Sequence, residues 1–453
     1  MKRLLIANRG EIARRILRSA KVRGLETVLA CSEADEDSVA AREADSFVVI
    51  GPAQAQKSYL NIEAILESAR DSEADAVHPG YGFLSENPDF AQAVIDAGLT
   101  WVGPLPETIR LMGDKAAARR AAEEAGVPIL PGSDGLVDDK SQAHDVAEQV
   151  GFPLMIKAAA GGGGRGIRVV REASDFDGAL DQVRTEAQAS FGDSRFYIER
   201  FVERARHVEV QILGDGNTAI HLGDRDCSMQ RRSQKVLEEA PAPKLPDDIR
   251  EQMRSSSVAL AESCGYTGAG TVEFLYDPQR REAAFIEMNT RLQVEHPVTE
   301  VITGIDLVAE QLRIADGEAL ELDQGDVEFR GHAFECRLNA EDPTQNFFPS
   351  PGRITGLTWP DRPSVRVDSA VESGSDVAPY YDSMIAKLIV HGSDRADALD
   401  ELRQALDETT VDGVATTLDL HRSLAARPEL VEVTHHTHFI EETPDVLPKP
   451  EQS

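Results

Sequence analysis

The sequence has 453 residues, with 79 Asp and Glu against 47 Lys and Arg, a formal net charge of −32 and 41% hydrophobic residues. The length suits roughly three domains of ~150 residues, and the composition is that of an ordered globular chain rather than a disordered or fibrous one. The acidity excludes a protein that grips nucleic acid through overall charge, which needs a basic face, and the apolar runs are strand-sized, so no membrane span is expected. Four cysteines, Cys31, Cys227, Cys264 and Cys336, show no paired spacing, and no signal-like segment opens the chain, so a reducing, cytoplasmic setting is expected. The 10 lysines against 37 arginines leave two explanations of the acidity open: a GC-rich genome with a solvated acidic surface, or life in high salt.

In chain order, residues 2–7 read as a strand, Asn8-Arg9-Gly10-Glu11 as a turn, the stretch to Lys21 as a helix and residues 26–31 as a second strand. A strand at Ala76-Val77, a loop over 78–87, a helix over 88–97 and a strand over 100–102 continue the alternation, which predicts a doubly wound α/β domain over 1–113. A second region, 114–330, has strands at 152–157, 167–170, 196–200, 207–213, 270–276 and 283–290. A third, 331–446, begins with a strand over 332–339 and contains a strand at 387–391 and a helix over 396–408. Residues 447–453 read as a solvated tail. The fold class expected is therefore a multidomain chain of mixed α/β and α+β character.

The run Gly161-Gly162-Gly163-Gly164-Arg165-Gly166 satisfies a dinucleotide pattern formally, but a β-rich stretch beginning at Ile167 follows it instead of a helix, and no Gly-Lys-Ser/Thr is present. A glycine hairpin whose backbone N–H groups close over phosphates remains, with Lys157 at the end of the preceding strand as a phosphate partner. From Ile286 to Glu295 the even positions are Ile, Met, Thr, Leu and Val and the odd ones Glu, Asn, Arg, Gln and Glu. If the backbone stays extended, period two puts Glu287, Asn289, Arg291, Gln293 and Glu295 on one face and the apolar set in a core. A neighbouring strand brings Glu273, and since paired strands lie about 5 Å apart, Glu273 and Glu287 can share a cation. Two carboxylates with the Asn289 amide make a hard oxygen site suited to Mg²⁺. Arg291 and Gln293 can then grip an oxyanion, with Glu295 either its base or a simple ion-pair partner of Arg291.

Together with Ala7 to Ala13, His78 to Asn87, Met155 to Ala160, Arg225 to Arg232, Glu238-Glu239-Ala240-Pro241, Gln293 to Pro297 and Tyr380 to Met384, these residues closely resemble the biotin carboxylase family of ATP-grasp enzymes over residues 1 to about 425. The resemblance implies a Rossmann-like N-terminal domain, an ATP-grasp domain with a mobile glycine-rich lid over about 130–203 and a C-terminal α+β domain. It implies ATP-dependent carboxylation of biotin with bicarbonate through carboxyphosphate, assisted by Mg²⁺ or Mn²⁺. Carried over by motif, Lys115 and Lys157 would hold phosphates; Glu199, Val202, Ile167 and Leu275 would surround the adenine; and His207 and Gln230 would lie near the nucleotide. Glu273, Glu287 and Asn289 would organise the metal. Lys235, Arg291, Gln293 and the Val294 backbone would bind bicarbonate, with Glu295 its base, and Arg337 and Tyr81 would serve biotin.

The chain has no Met-Lys-Met biotin-attachment motif, so a separate biotin carboxyl carrier protein and a carboxyltransferase subunit are implied, and the family resemblance implies a homodimer. Ser233 stands where bacterial acetyl-CoA-type members commonly carry histidine, which implies an altered affinity for biotin or nucleotide. Cys227 and His296 are expected to be structural, and His435, His436 and His438 lack the partners of a metal cluster. Two other readings are weighed: an ATP-grasp ligase that does not use biotin, for which Arg337 and the Tyr380-Tyr381-Asp382 signature would have no role, and a catalytically silent nucleotide-binding subunit, against which the intact set of Glu273, Glu287, Asn289, Arg291 and Glu295 argues.

Overall fold

Short apolar runs at the start of the chain form buried parallel strands in the computed structural model, which describes residues 1–133, 135–158, 167–191 and 194–448. β1 (Arg3–Ile6), β2 (Glu26–Cys31), β3 (Ser46–Val49), β4 (Ala76–His78) and β5 (Thr100–Trp101) make a five-stranded sheet in the order β3-β2-β1-β4-β5. The chain winds outward from β1 in one direction and resumes on the other side at β4, so β1 and β4 flank a topological switch point, where ligands of open α/β sheets bind. The loops that leave these two strands are tied together by Asn8, whose amide donates to the carbonyls of Pro79 (2.6 Å) and Tyr81 (2.7 Å). Gly80 is required there: its φ is +64°, and a Cβ would meet the Asn8 amide at 2.8 Å.

A three-stranded antiparallel sheet follows, in the order β7-β6-β8, from β6 (Leu154–Ala158), β7 (Ile167–Val170) and β8 (Phe196–Arg200). Lys157 pairs with Ile167 across β6 and β7, so these strands are antiparallel neighbours, as a hairpin requires. The glycine run itself, 161–166, lies outside the described residues. This sheet is joined to the rest of the molecule by the stretch at 128–133, where Phe285 N–H donates to Pro128 O at 2.7 Å and Ser133 N–H to Ile198 O at 2.7 Å.

The largest element is an eight-stranded antiparallel sheet in the order β13-β12-β9-β10-β11-β14, then Met384–Gly392 and Val365–Ser369. Its labelled strands are β9 (Arg206–Asp215), β10 (Ala219–Arg231), β11 (Gln234–Ala240), β12 (Thr267–Asp277), β13 (Glu282–Asn289) and β14 (His332–Asn339). Because β11 pairs with β14, with Glu238 opposite Glu335, the sheet runs without a break across residue 330. One face packs on helices; in the C-terminal part, Phe334, Cys336, Leu338, Leu388 and Val390 meet Leu399, Leu402 and Leu406 of the helix Arg395–Glu408.

The polar ladder differs from expectation in two respects. The extended strand stops at Asn289, so Arg291 to Glu295 reach the site from a loop that ends at the N-cap of the helix His296–Thr303. The register also slips between Glu273–Glu287 and Phe274–Phe285. Ile286 is the extra residue of that bulge and stands 42% exposed instead of entering the core.

The C-terminal part is clamped onto the N-terminal sheet by Tyr381. Its hydroxyl lies 2.6 Å from Ser32 Oγ and donates to Ala53 O at 2.6 Å, and Arg9 stacks 4.3 Å over its ring while both Arg9 Nε and Nη2 reach the Asp35 carboxylate at 2.8 Å. Asp35 is buried. Asp35→Ala, which strands the Arg9 guanidinium, is expected to cost about 3 kcal/mol and lower the melting temperature by several degrees; an unchanged melting curve would show that the clamp carries no stability.

Candidate active site

A cavity of about 1010 Å³ opens between the C-terminal ends of β1 and β4, one face of the large sheet and segments from the end of the chain. Most of the residues singled out in the sequence meet there: Tyr81 from the β4 loop, Lys115 from the start of the helix Lys115–Glu124, His207 from β9, Gln230 from β10, Lys235 from β11, Glu273 and Leu275 from β12, Glu287 and Asn289 from β13, Arg291, Gln293 and Val294 from the following loop, and Arg337 from β14. Lys157, Ile167 and Glu199 do not line it. They sit on the three-stranded sheet, where Lys157 Nζ lies 2.5 Å from Glu199 Oε2. Val202 and Leu275 share the wall of an adjoining cavity of about 290 Å³.

The floor of the main cavity is a buried charge network. Lys235 Nζ donates to Glu209 Oε2 (2.6 Å), Glu273 Oε1 (2.9 Å) and Glu295 Oε1 (2.5 Å). Glu209 is also held by Arg225 Nε at 2.6 Å, and Arg225, entirely buried, spends its remaining donors on Gln211, Thr299 and Thr271. Glu295 receives Arg337 Nη2 on its second oxygen at 2.9 Å, while Arg337 Nε reaches Glu238 Oε1 at 2.5 Å. Glu295 is thus clamped between Lys235 and Arg337, not paired with Arg291. Arg291 instead donates to Glu86 Oε2 at 3.0 Å and to Asn289 Oδ1 at 3.1 Å.

These contacts divide the carboxyls into two sets. Burial alone raises the pKa of a carboxyl, but Lys235 with Arg225 holds Glu209, and Lys235 with Arg337 holds Glu295, below the ordinary value; Glu273 is lowered by Lys235 and His207. Glu238 is pushed up to about 7 by burial, against the pull of Arg337. Glu335, opposite it on β14, is fully buried with neither oxygen hydrogen-bonded among the described residues, and burial raises it well above the ordinary range. Cys227 lies 3.9 Å from Glu295, its thiol kept protonated by burial and by Glu209, which suits packing rather than nucleophilic chemistry. His296, buried and contacting Gln293 O at 2.8 Å, is kept neutral, again a structural role.

Glu273 and Glu287 are cross-strand partners, as the sequence pattern requires. Glu287 has no hydrogen bond or ion pair among the described residues, its pKa is raised by burial and then by Glu273, and the buried Nδ2 of Asn289 is unpartnered. Unpaired carboxylate oxygen beside a second carboxylate is a donor set that fits a hard divalent cation. The tighter groupings His207–Glu209–Glu273 and Glu209–Cys227–Glu295, each within 4.8 Å, are bridged by Lys235 and Arg225 rather than open to a metal. No such grouping among the described residues involves His435, His436 or His438.

Several residues at the site had no separable signal in the sequence. Glu209 alternates with valines in β9 and carries no signal of its own, and Glu238 stands in the Glu238-Glu239-Ala240-Pro241 motif with no role attached to it by the sequence. Thr437, His438 and Glu441 reach the cavity from the end of the chain, Glu441 by accepting Arg232 N–H at 2.5 Å. Arg232 and Ser233 form the tight turn between β10 and β11, both with positive φ (48° and 63°), which places Ser233 in the cavity wall.

Three family models match the chain in succession: the biotin carboxylase N-terminal domain over residues 1–109, the ATP-binding domain of the carbamoyl-phosphate synthase L chain over 114–323, and the biotin carboxylase C-terminal domain over 335–442. A biotin carboxylase of Nostoc sp. is 50% identical over 97% of this chain and 98% of its own. The biotin carboxylase domain of a thermophilic 2-oxoglutarate carboxylase, solved with ADP, superposes with a TM-score of 0.93 at 43% identity over 99% of this chain and 100% of that one. The corresponding domain dimer from Hydrogenobacter thermophilus, solved with MgADP, ADP and bicarbonate, gives a TM-score of 0.87 at 43% identity, covering 99% of each chain.

Glu335 sets a pH dependence that can be measured. Its pKa is raised on folding, so between the unfolded value of 4.5 and the folded one the native state binds a proton that the unfolded state has released. Its contribution is therefore present below 4.5 and stability is lost as pH rises, by at most about 1.4 kcal/mol per pH unit. Glu335→Gln removes that loss. The melting temperature of the variant relative to the parent is expected to rise as pH increases above about 5 and to level off once pH passes the folded-state value; a pH-independent difference would count against the assignment.

Proposed function

The chain belongs to the biotin carboxylase family, and from that premise we propose that it carboxylates biotin with ATP and bicarbonate. The observation that carries this reading is the clamped Glu295: a wholly buried carboxylate kept ionised by Lys235 and Arg337, directly beneath a cavity walled by Arg291, Gln293 and Val294. Bicarbonate is a weak nucleophile and must lose its proton where an anion is already held. Arg291, Gln293, Lys235 and the Val294 N–H are assigned to hold it, and Glu295 takes the proton, while the oxygen attacks the terminal phosphate of ATP to give carboxyphosphate and ADP. Carboxyphosphate then releases phosphate, which takes the ureido N–H proton, as its carboxyl group passes to that nitrogen of biotin, whose anion Arg337 stabilises with Tyr81 alongside.

Glu273, Glu287 and Asn289 would hold Mg²⁺ or Mn²⁺, which neutralises the charge of the transferring phosphoryl group. Lys115 and Lys157 are assigned to the phosphates together with the glycines Gly161, Gly162, Gly163, Gly164 and Gly166. Glu199, Val202, Ile167 and Leu275 are assigned to the purine, and His207 and Gln230 to its neighbourhood. The functional division follows residues 1–113, 114–330, with the lid over about 130–203, and 331–446. We assign the biotin to a separate carrier protein and the later transfer to a carboxyltransferase subunit. A homodimer is supported by the dimeric relative, and a cytoplasmic setting by the unpaired cysteines and the absence of a membrane-length apolar helix among the described residues.

Bicarbonate-dependent ADP release with Mg²⁺, measured with and without free biotin, tests the proposal. Biotin is expected to raise turnover, and Glu295→Gln to lower kcat by about 10²–10⁴-fold with the KM for ATP nearly unchanged. Absence of ATP turnover would remove the enzyme reading, and turnover indifferent to biotin would point to a ligase of another kind.

A further inference from the structure

Two charged residues to which the reaction above gives no role lie beneath both halves of the cavity. Lys387, on the strand Met384–Gly392, has no exposed surface. Its ammonium donates to the Val294 carbonyl at 2.8 Å and lies 3.2 Å from Glu11 Oε1. The same Glu11 oxygen accepts the Tyr81 hydroxyl. Glu11 sits in the first turn of the helix Gly10–Val22, where a carboxylate suits the helix dipole. A continuous chain thus runs from Tyr81 through Glu11 and Lys387 to the peptide that joins Val294 to Glu295, and both of its ends, Tyr81 and Val294, line the cavity.

Stability alone does not account for this pair. A buried ion pair loses as much in desolvation as it gains in attraction, and well-packed apolar residues would serve the core equally well or better. What an apolar pair cannot supply is a directed donor to the Val294 carbonyl. The following residue, Glu295, must present its two oxygens simultaneously to Lys235 (2.5 Å) and Arg337 (2.9 Å), so a small rotation of the preceding peptide would break one of these contacts. On strand Met384–Gly392, Lys387 is the cross-strand partner of Arg337. The strand that anchors the peptide therefore also pairs with the one carrying the other side of the clamp.

We propose that Lys387, held by Glu11, is a positioning residue that fixes the Val294–Glu295 peptide and registers it against the Tyr81 wall. The inference rests on Glu295 being the base of the reaction. The experiment compares Lys387→Met, Glu11→Gln and the double variant Glu11→Gln/Lys387→Met, which leaves no unpaired charge behind, in ADP release with free biotin. KM is measured separately for bicarbonate and for ATP, and the melting temperature is recorded for each protein. The double variant is expected to melt within a few degrees of the parent, with kcat lowered at least ~10-fold, the bicarbonate KM raised at least ~10-fold and the ATP KM within ~3-fold. Glu11→Gln alone, which keeps an acceptor oxygen, is expected to fall between. A double variant with parental kcat and bicarbonate KM, or one whose ATP and bicarbonate KM rise together, overturns the positioning role. A parent protein without bicarbonate-dependent turnover overturns instead the functional reading on which it rests.

Discussion

The molecule is organised around one ammonium. Lys235 Nζ touches Glu209, Glu273 and Glu295 within 2.9 Å, and all three side chains are almost wholly removed from water. Two carboxylates about 5 Å apart at an effective dielectric of about 20 repel by about 3 kcal/mol, so three of them cannot share such a space as anions without a cation among them. Lys235, with Arg225 behind and Arg337 beside, supplies it. The network must also be complete, because a half-satisfied buried network is worse than an apolar core. Hence the secondary contacts of Arg225 with Gln211, Thr271 and Thr299, which leave the guanidinium no freedom to turn away.

The fold delivers this arrangement through two unrelated pieces of geometry. The antiparallel sheet sets Glu209, Glu273 and Lys235 on strands β9, β12 and β11, and the register does the alignment, with Glu273 opposite Glu209 and Glu287 on either side. The parallel sheet ends its β1 and β4 loops against that surface, bringing Tyr81 and Glu11. Neither sheet holds the site alone. Contacts that cross between them, such as the Tyr81–Glu11–Lys387 chain and the Tyr381 clamp, decide whether the two halves of the cavity face each other.

The sequence carried much of this, and where it did not the reasons are physical. Strands with apolar continuity or clean alternation, such as residues 26–31 and 332–339, were legible to the residue. β10 and β11 were recognisable only as motifs, because Asp224, Arg225, Asp226, Ser228, Gln230, Glu238 and Glu239 are buried polar residues: where a strand builds a charge network its inside is polar, and the periodicity that marks strands disappears. The ladder from Glu287 to Glu295 named the right residues through the wrong backbone. Its polar groups converge although the strand ends at Asn289, because the loop doubles back beside β12, letting Gln293 donate to Glu273 Oε1 at 3.0 Å. The alternative that pairs Glu295 with Arg291 falls for the same reason, since it needs the extended strand that ends at Asn289.

The net charge of −32 poses a problem for a protein that binds two anions, and a simple basic pocket is not how the structure resolves it. Buried glutamates are at least as numerous at the site as cations. Their protonation makes the difference: burial raises Glu335, which favours its neutral form, and pushes Glu238 up to about 7, while cation contacts keep Glu209, Glu273 and Glu295 low. The ionised Glu209, Glu273 and Glu295 are opposed by Arg225, Lys235 and Arg337, and Glu11 by Lys387, so the floor is close to balance and its outward-facing cations remain available to an incoming anion. An acid more than about 8 Å from the mouth is largely screened at physiological salt, whereas the exposed Asp382 and Glu441 stand in the cavity wall itself. What an anion senses at the mouth is therefore set by the charges of the wall and floor together, while the more distant acids act on solubility.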